Sequence, residues 1–252
     1  MIQIQEIHKS FGRQKVIDGL SISIAKGELV AVLGSSGSGK SVLLKHVAGL
    51  LKPDRGKILL DGQDIHGLRG KTLASLRNRM GFLFQGGAMF DSMTVFENIA
   101  FPLTERTRLP GEEIRVKVMK ELEAVGLSGS EEKYPSQLSG GMIKRAAMAR
   151  ALVRDPEIMM IDEPTTGLDP AIRLAVLKLI DESHKRLKFT GIVVTHEIPS
   201  ALAIVDHVVF LKAGKVYSKT SGADFISSSD PVIREFLGGD EGPEICPQKQ
   251  GG

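Results

Sequence analysis

The chain has 252 residues, of which 42% are hydrophobic and 25% are charged, a composition typical of a globular protein. Its formal net charge of +3 is too small to indicate nucleic-acid binding. One cysteine, Cys246, excludes an intrachain disulfide and agrees with a reducing compartment. The N-terminus lacks a signal-peptide pattern, and no apolar run reaches about 18 residues, so we expect no transmembrane segment.

The first quarter of the chain predicts strands around a glycine-rich loop. Residues 2–10 and 20–25 alternate apolar and polar side chains, as half-buried antiparallel strands do. Residues 28–33 form a continuous apolar run, which is typical of a strand covered on both faces. A helical pattern follows over about residues 40–50, and residues 57–60 predict another short strand.

The remainder of the chain alternates between strand and helix patterns, which indicates a parallel sheet with helices on both sides. We therefore predict an α/β fold with a mainly parallel core sheet, an antiparallel β subdomain and an inserted helical subdomain. The expected domain covers residues 1–237, with the helical subdomain at about 86–153 and a tail at 238–252. The patterns are strands at 80–84, 158–161 and 191–195, helices at 112–125, 139–153 and 170–187, and a hairpin at 208–219.

A phosphate-binding loop is the sharpest motif. The G-x-x-x-x-G-K-[ST] pattern is matched by Gly34-Ser35-Ser36-Gly37-Ser38-Gly39-Lys40-Ser41. Its glycines let successive N–H groups turn inward at the positive end of a helix dipole. Lys40 would supply charge to the β- and γ-phosphates of a nucleotide, and the Ser41 hydroxyl would ligate Mg²⁺. A flexible Gly/Ser turn is the alternative, which the preceding strand and following helix disfavour.

Two carboxylates end the predicted strand at 158–161. Asp162 stands where phosphate-loop NTPases hold Mg²⁺. Glu163 follows it and is a candidate to polarise an attacking water molecule. A solvated strand end is the alternative interpretation, but the phosphate loop in the same chain favours a catalytic pair.

A second anion-binding motif lies at the start of the predicted helix at 139–153. Serine and two glycines at a helix N-terminus bind anions, and two phosphate sites in one chain suggest that each faces a different protomer. The motif Leu138-Ser139-Gly140-Gly141-Met142 resembles the LSGGQ signature of the ABC ATPase family. The order of three further features agrees with that family: Gln85, Asp169 and His196.

This resemblance implies ATP and Mg²⁺ as cofactors and a second copy of the chain as partner, with two ATP molecules at the interface. Gln85 would contact the metal or water, and Asp169 would communicate across the dimer. His196 would contact the γ-phosphate as a catalytic residue beside Glu163. Phe11 would stack on adenine, with an ordinary core phenylalanine as the alternative. The γ-phosphate of the opposite subunit would be contacted by Ser139, Gly140 and Gly141.

Met142 replaces the usual glutamine of the signature. This substitution occurs in a subgroup that resembles the Mla (maintenance of lipid asymmetry) ATPases and their relatives serving MCE-domain lipid transporters. Residues 84–90, 93–103 and 138–150 are similar to the same subgroup. The resemblance implies phospholipid moved between the inner and outer membranes, an MlaE-like permease, an MCE-domain protein and often a small STAS-domain subunit. The chain would lie on the cytoplasmic face of the inner membrane.

The apolar stretch at 90–101 lies where an ABC ATPase would receive its permease. The alternative is that these residues belong to the core of the helical subdomain, and the sequence leaves both interpretations open.

Other function classes fit less well. ABC ATPases that act on nucleic acid or in translation generally carry coiled-coil insertions or two cassettes, and this chain has neither. A binding-only regulator is disfavoured because Lys40, Asp162, Glu163 and His196 are all present. Within transport, an importer of amino acids or metal chelates shares every catalytic motif and stays the alternative.

Overall fold

Two sheets of different type organise the chain. The computed structural model describes residues 1–196 and 198–238, so most of the predicted tail, with Cys246, lies outside the described residues. The strands are β1 (Ile2–Phe11), β2 (Gln14–Ile24), β3 (Leu29–Gly34), β4 (Arg55–Leu60), β5 (Gln63–Asp64), β6 (Met80–Leu83), β7 (Ile158–Asp162), β8 (Thr190–Val194), β9 (His207–Lys212) and β10 (Lys215–Thr220). The helices are α1 (Lys40–Val47), α2 (Gly70–Asn78), α3 (Val95–Arg106), α4 (Gly111–Ala124), α5 (Gly140–Leu152), α6 (Pro170–Leu187), α7 (Ile198–Leu202), α8 (Gly222–Ile226) and α9 (Pro231–Phe236).

The smaller sheet is antiparallel and has the strand order β2-β1-β4-β5. Along β1, Ile2 and Ile4 are buried while Gln3 and Gln5 are exposed. This period of two puts one face of the sheet against the core and confirms the alternation that predicted it. The two-residue strand β5 was not predicted.

The larger sheet has the order β10-β9-β3-β8-β7-β6 and is parallel except at one hairpin. Every residue of β3 is buried, as its continuous apolar run indicated. The antiparallel pair β9 and β10 turns at Ala213 and Gly214, whose φ angles are 49° and 75°. Left-handed backbone at both turn residues suits a tight hairpin, which confirms the predicted one.

The parallel strands bring several motifs to one edge of the larger sheet. Val194 at the end of β8 pairs with Asp162 on one side and with Val32 of β3 on the other. Leu83, the last residue of β6, pairs with Ile161. Because parallel strands end at a common edge, the loops after β3, β6, β7 and β8 meet there, which is where open α/β sheets bind ligands.

Three helices, α3 to α5, lie between β6 and β7 in the sequence and pack on one another around a shared apolar core. The sequence predicts helices α4 and α5 but indicates only an apolar stretch where α3 lies. Its start is fixed by Thr94 and Glu97, which exchange hydrogen bonds between side chain and main chain as a capping box. In the described part of the chain, no helix is both long enough and apolar enough to cross a bilayer.

Candidate nucleotide-binding and hydrolysis site

The phosphate loop joins β3 to α1 and needs glycine at specific positions. A Cβ atom on Gly34 would lie 2.5 Å from the carbonyl oxygen of Leu211 and 2.6 Å from Oγ of Ser38, so no side chain fits there. Gly39 is the N-cap residue of α1, with a φ of 100°. It has no side chain that could bond the first N–H groups of the helix. Gly37 has open space around it. The main-chain N–H groups at the start of α1 are therefore accessible to an anion.

Lys40 lies folded over this loop. Its Nζ donates to the carbonyl oxygens of Gly34, at 2.7 Å, and Ser35, at 3.0 Å. Burial lowers the pKa of the Lys40 ammonium, and the charges of Glu163 and Asp162 oppose that shift. Neutral carbonyls satisfy the hydrogen bonds of the ammonium but not its charge, so a phosphate oxygen fits this position.

Ser41 and Asp162 form a pair of oxygen donors beside the loop. Oγ of Ser41 donates to Oδ1 of Asp162 at 3.2 Å. Burial raises the pKa of the Asp162 carboxyl and the charge of Glu163 acts in the same direction, while the bond from Ser41 opposes both. A carboxylate whose negative charge is costly suits a hard cation. The described residues contain no cluster of three or more His, Cys, Asp or Glu that could hold a metal, so hydroxyl, amide or phosphate oxygens would complete such a site.

Glu163 leaves the direction of β7 by a left-handed turn. Its φ of 49° is unusual for a residue with a side chain, and its main-chain N–H donates to the carbonyl of Val194 at 2.9 Å. Oε2 of Glu163 accepts from Oγ1 of Thr166 at 3.2 Å and lies 2.8 Å from Nδ1 of His196. The carboxylate is thereby held by groups from two loops of the same edge.

A cavity of about 320 Å³ joins the phosphate loop to Gln85 and Glu163. Gln14 and Val16 of β2 line it too, although no motif in the sequence identifies them. The nearby Phe11 ends β1 with 49% of its surface exposed, so the interpretation as a core phenylalanine is wrong. Its stacking on adenine stays a prediction.

The signature residues do not belong to this cavity in the described part of the chain. Ser139 and Gly140 are exposed, and Oγ of Ser139 accepts from the N–H of Met142 at 3.3 Å as the cap of α5. A Cβ on Gly141 would lie 2.6 Å from Cγ2 of Ile172, so glycine lets α5 approach α6. Asp169 caps α6 and is exposed without a side-chain bond to that helix. The N-terminus of α5, where an anion-binding site is predicted, thus lies outside the lining of this cavity.

Comparison with known proteins identifies the family of the chain. The family described as ABC transporter matches residues 17–166. The intermembrane phospholipid transport system ATP-binding protein MlaF of Escherichia coli (strain K12) is 40% identical over 239 residues, covering 95% of this chain and 89% of that protein. MlaF of Haemophilus influenzae is 41% identical over 96% of this chain and 92% of its own length. The probable ribonucleotide transport ATP-binding protein mkl of Mycobacterium leprae is 42% identical over 94% of this chain but 69% of its own.

Solved structures give the same result. A dimeric post-hydrolysis structure of the ATP-binding cassette MJ0796 bound to ADP and Pi has a TM-score of 0.80 and 30% identity, covering 88% of this chain and 98% of that one. The cbiO1 protein of Clostridium perfringens, part of the ABC transporter complex cbiONQ, has a TM-score of 0.83 and 32% identity over 93% of both chains. The predicted fold class is confirmed, and the chain belongs to the ABC transporter family.

Proposed function

We propose that this ATPase subunit drives phospholipid movement between two membranes, working as one of two copies that share two ATP molecules. The observation that carries its ATPase role is the cavity of about 320 Å³ where the phosphate loop, Gln85 and Glu163 meet. A nucleotide-binding loop alone would support binding only. A carboxylate held next to that loop supports hydrolysis, because a base must reach the water that attacks the γ-phosphate.

Each residue of the site has a proposed task. The loop N–H groups and Lys40 bind the phosphates, and Glu163 accepts the proton of the attacking water. His196 orients that carboxylate and contacts the γ-phosphate. Ser41, Asp162 and Gln85 would hold Mg²⁺, which would neutralise phosphate charge. Phe11 stacks on the adenine ring. Its side chain is exposed, and it pairs with Gln14 of the neighbouring strand, which lines the cavity.

The exposed residues Ser139 and Gly140 at the start of α5 support the proposal of a shared site. Ser139, Gly140 and Gly141 do not reach the cavity of their own chain, so we assign them to the γ-phosphate held by a second copy. Asp169 is exposed at the cap of α6 and is assigned to contacts across the same dimer. The related cassette MJ0796 has a dimeric structure with ADP and Pi, which supports this arrangement.

A second groove, of about 450 Å³, is the proposed contact with the transmembrane partner. Its apolar lining includes Phe84 and Phe90 of the loop after β6 and Phe101 of α3. The cations Arg150 and Arg154 line it too. Phe84 is 41% exposed and Phe90 is 42% exposed, and apolar surface left exposed in a groove marks a site of protein contact.

The apolar stretch at 90–101 therefore divides between the two interpretations that the sequence left open. Val95 and Ile99 are fully buried in the apolar core shared by helices α3 to α5. Phe90 and Phe101 contact each other with ring centroids 4.8 Å apart and line the groove. We propose that only this second group receives a segment of the permease.

Phospholipid is the cargo that the relatives favour. The chain covers 89–92% of the length of the MlaF proteins, which are named for phospholipid transport, and 69% of the mkl protein of M. leprae, which is named for ribonucleotide transport. An amino-acid importer, the alternative from the sequence, is not favoured by these relatives. The proposed assembly contains an MlaE-like permease, an MCE-domain protein and a small STAS-domain subunit at the cytoplasmic face of the inner membrane.

The test is purification of the tagged chain from detergent-solubilised native membranes, with partners and lipids identified by mass spectrometry. We expect an MlaE-like permease, an MCE-domain protein and phospholipid. Phe90→Asp should abolish their recovery, whereas Val116→Asp, at a residue 60% exposed on α4, should not. A small-solute permease with a substrate-binding protein would replace the lipid proposal by the importer, and recovery of no membrane protein would contradict both.

A further inference from the structure

The main chain of the loop that follows β6 is hydrogen-bonded to side chains of helices α3 and α5. Three buried or half-buried side chains of α3 and α5 bind its main chain. Asn98 bonds both the N–H and the carbonyl of Phe90, at 2.8 and 3.0 Å, and Arg150 donates to the carbonyls of Gly87 and Ala88, each at 2.8 Å. The third side chain is Lys144, whose Nζ donates to the carbonyl oxygen of Gln85. These bonds tie the position of the loop to that of the two helices.

Lys144 is the least expected of the three. It is only 7% exposed, and a lysine this buried is rare unless its ammonium has a partner. Burial lowers the pKa of the Lys144 ammonium, and the charges of Glu163 and Asp162 oppose the shift. The cation thus lies within the electrostatic field of the site carboxylates while it holds the main chain of Gln85.

Close packing makes the connection between α5 and the loop stiff. Gly87 has a φ of 77°, and a Cβ placed on it would lie 3.1 Å from Cγ2 of Ile143. Lys144 follows Ser139 by five residues on the same helix, which is about 7.5 Å along a helix axis. One rigid element therefore carries both the exposed signature end and the group that holds Gln85.

We propose that Lys144 is a positioning residue that couples the signature end of α5 to Gln85 of the same subunit. A fixed carbonyl restrains the main chain of Gln85, from which its side chain extends toward the cavity. When the signature end contacts a nucleotide on the second copy, any displacement of α5 is transmitted through Lys144 to Gln85. This inference rests on the proposed shared site, and it adds a route by which closure at one nucleotide sets the geometry at the other.

The experiment compares Lys144→Met, Lys144→Arg and Gln85→Ala in the full chain, purified with its membrane partners. Lys144→Met keeps the length of the side chain but removes the charge, and should lower kcat about tenfold while the Kd for ATP changes less than about twofold. Lys144→Arg should recover most of the activity. Lys178→Met is the matched control, because Lys178 is 76% exposed and pairs only with Glu182 at 3.6 Å among the contacts described.

A double-mutant cycle distinguishes positioning from simple structural support. If Lys144 acts through Gln85, Lys144→Met combined with Gln85→Ala should turn over as slowly as Gln85→Ala alone. Losses that multiply, full activity of Lys144→Met, or a joint decline of kcat, ATP affinity and melting temperature would each overturn the inference. If the wild-type assembly does not hydrolyse ATP, the proposed function itself fails, which this design detects separately.

Discussion

Nδ1 of His196 lies 2.8 Å from Oε2 of Glu163, although the two residues are 33 positions apart and follow different strands. The same oxygen accepts a hydrogen bond from Oγ1 of Thr166 at 3.2 Å. A general base needs a fixed direction toward the attacking water, and two partners on one oxygen restrict the rotation of this carboxylate. The contact joins the candidate base to the residue expected at the γ-phosphate.

Replacing His196 by alanine should therefore damage turnover more than binding. We expect kcat for His196→Ala to fall about 100-fold, because the carboxylate loses its orientation and the γ-phosphate loses a contact. Equilibrium ATP binding should change by less than about threefold, since the phosphate loop is untouched. Phosphate release and binding of a fluorescent ATP analogue measure the two quantities. Unchanged kcat, or a loss of binding equal to the loss of turnover, would refute the role.

Gly34→Ala should weaken nucleotide binding. The added methyl group would lie 2.5 Å from the carbonyl oxygen of Leu211, so the loop must shift and its N–H groups must lose their alignment. We expect ATP affinity to fall by at least about tenfold. Gly62→Ala is the control, because Gly62 also has a left-handed φ, of 80°, but nothing within 4 Å. It should cost about 1 kcal/mol of stability and leave ATP binding intact. Equal losses of ATP affinity in the two variants would contradict the proposed role of the loop in phosphate binding.

Ser139→Arg should separate binding from dimer closure. A long cation at the start of α5 would block the approach of a second nucleotide-bearing copy, while the cavity of its own chain is unaffected. ATP binding to the single chain should persist and ATPase activity should be lost. Ser221→Arg controls for the lost helix cap, because Oγ of Ser221 accepts from the N–H of Asp224 at 3.1 Å in α8. Normal ATPase activity of Ser139→Arg would overturn the shared site.

Much of the fold could be predicted because burial leaves a clear period in the sequence. The alternation in β1 and the apolar run of β3 both follow directly from which faces are covered. The sequence does not predict helix α2, because only Leu76 of its nine residues is buried and the helix therefore has no apolar stripe. Helix α3 contains Pro102, which argues against a helix, but Thr94-x-x-Glu97 is a capping-box signal that could have located its start.

The site was predictable as a set of motifs but not as a set of contacts. The spacing of the phosphate loop is local, so the sequence alone identifies it. The contact of Glu163 with His196 depends on the register of β7 against β8 and on a left-handed turn at Glu163. Lys144 carried no signal either, because its role depends on where a distant loop passes α5.

Acid should destabilise the chain through His46, which is fully buried in α1 with its Nδ1 2.7 Å from the carbonyl oxygen of Val42. Burial lowers the pKa of His46, His66 and Lys9 add to the shift, and Asp54 with the bond to Val42 opposes it. The folded state therefore binds this proton more weakly than the unfolded chain does.

The stabilisation from neutral His46 is present above the ordinary pKa of 6.5 and is lost as the pH falls below it. Melting temperatures measured by calorimetry at about pH 7.5 and about pH 5.5 should show this decline. His46→Gln, which cannot titrate, should show a smaller decline between the same two values. An identical decline in the variant would exclude His46 as its source.

The most direct test of the central claim is the mass of Glu163→Gln in solution with ATP and Mg²⁺. We predict a particle of twice the 27.2 kDa chain mass that retains one unhydrolysed ATP per chain, because binding and closure persist while the base is missing. Adding Lys40→Ala should abolish that particle by removing phosphate binding. Rapid ATP hydrolysis by Glu163→Gln, or a monomer with ATP bound, would contradict an ATPase whose sites are shared between two copies.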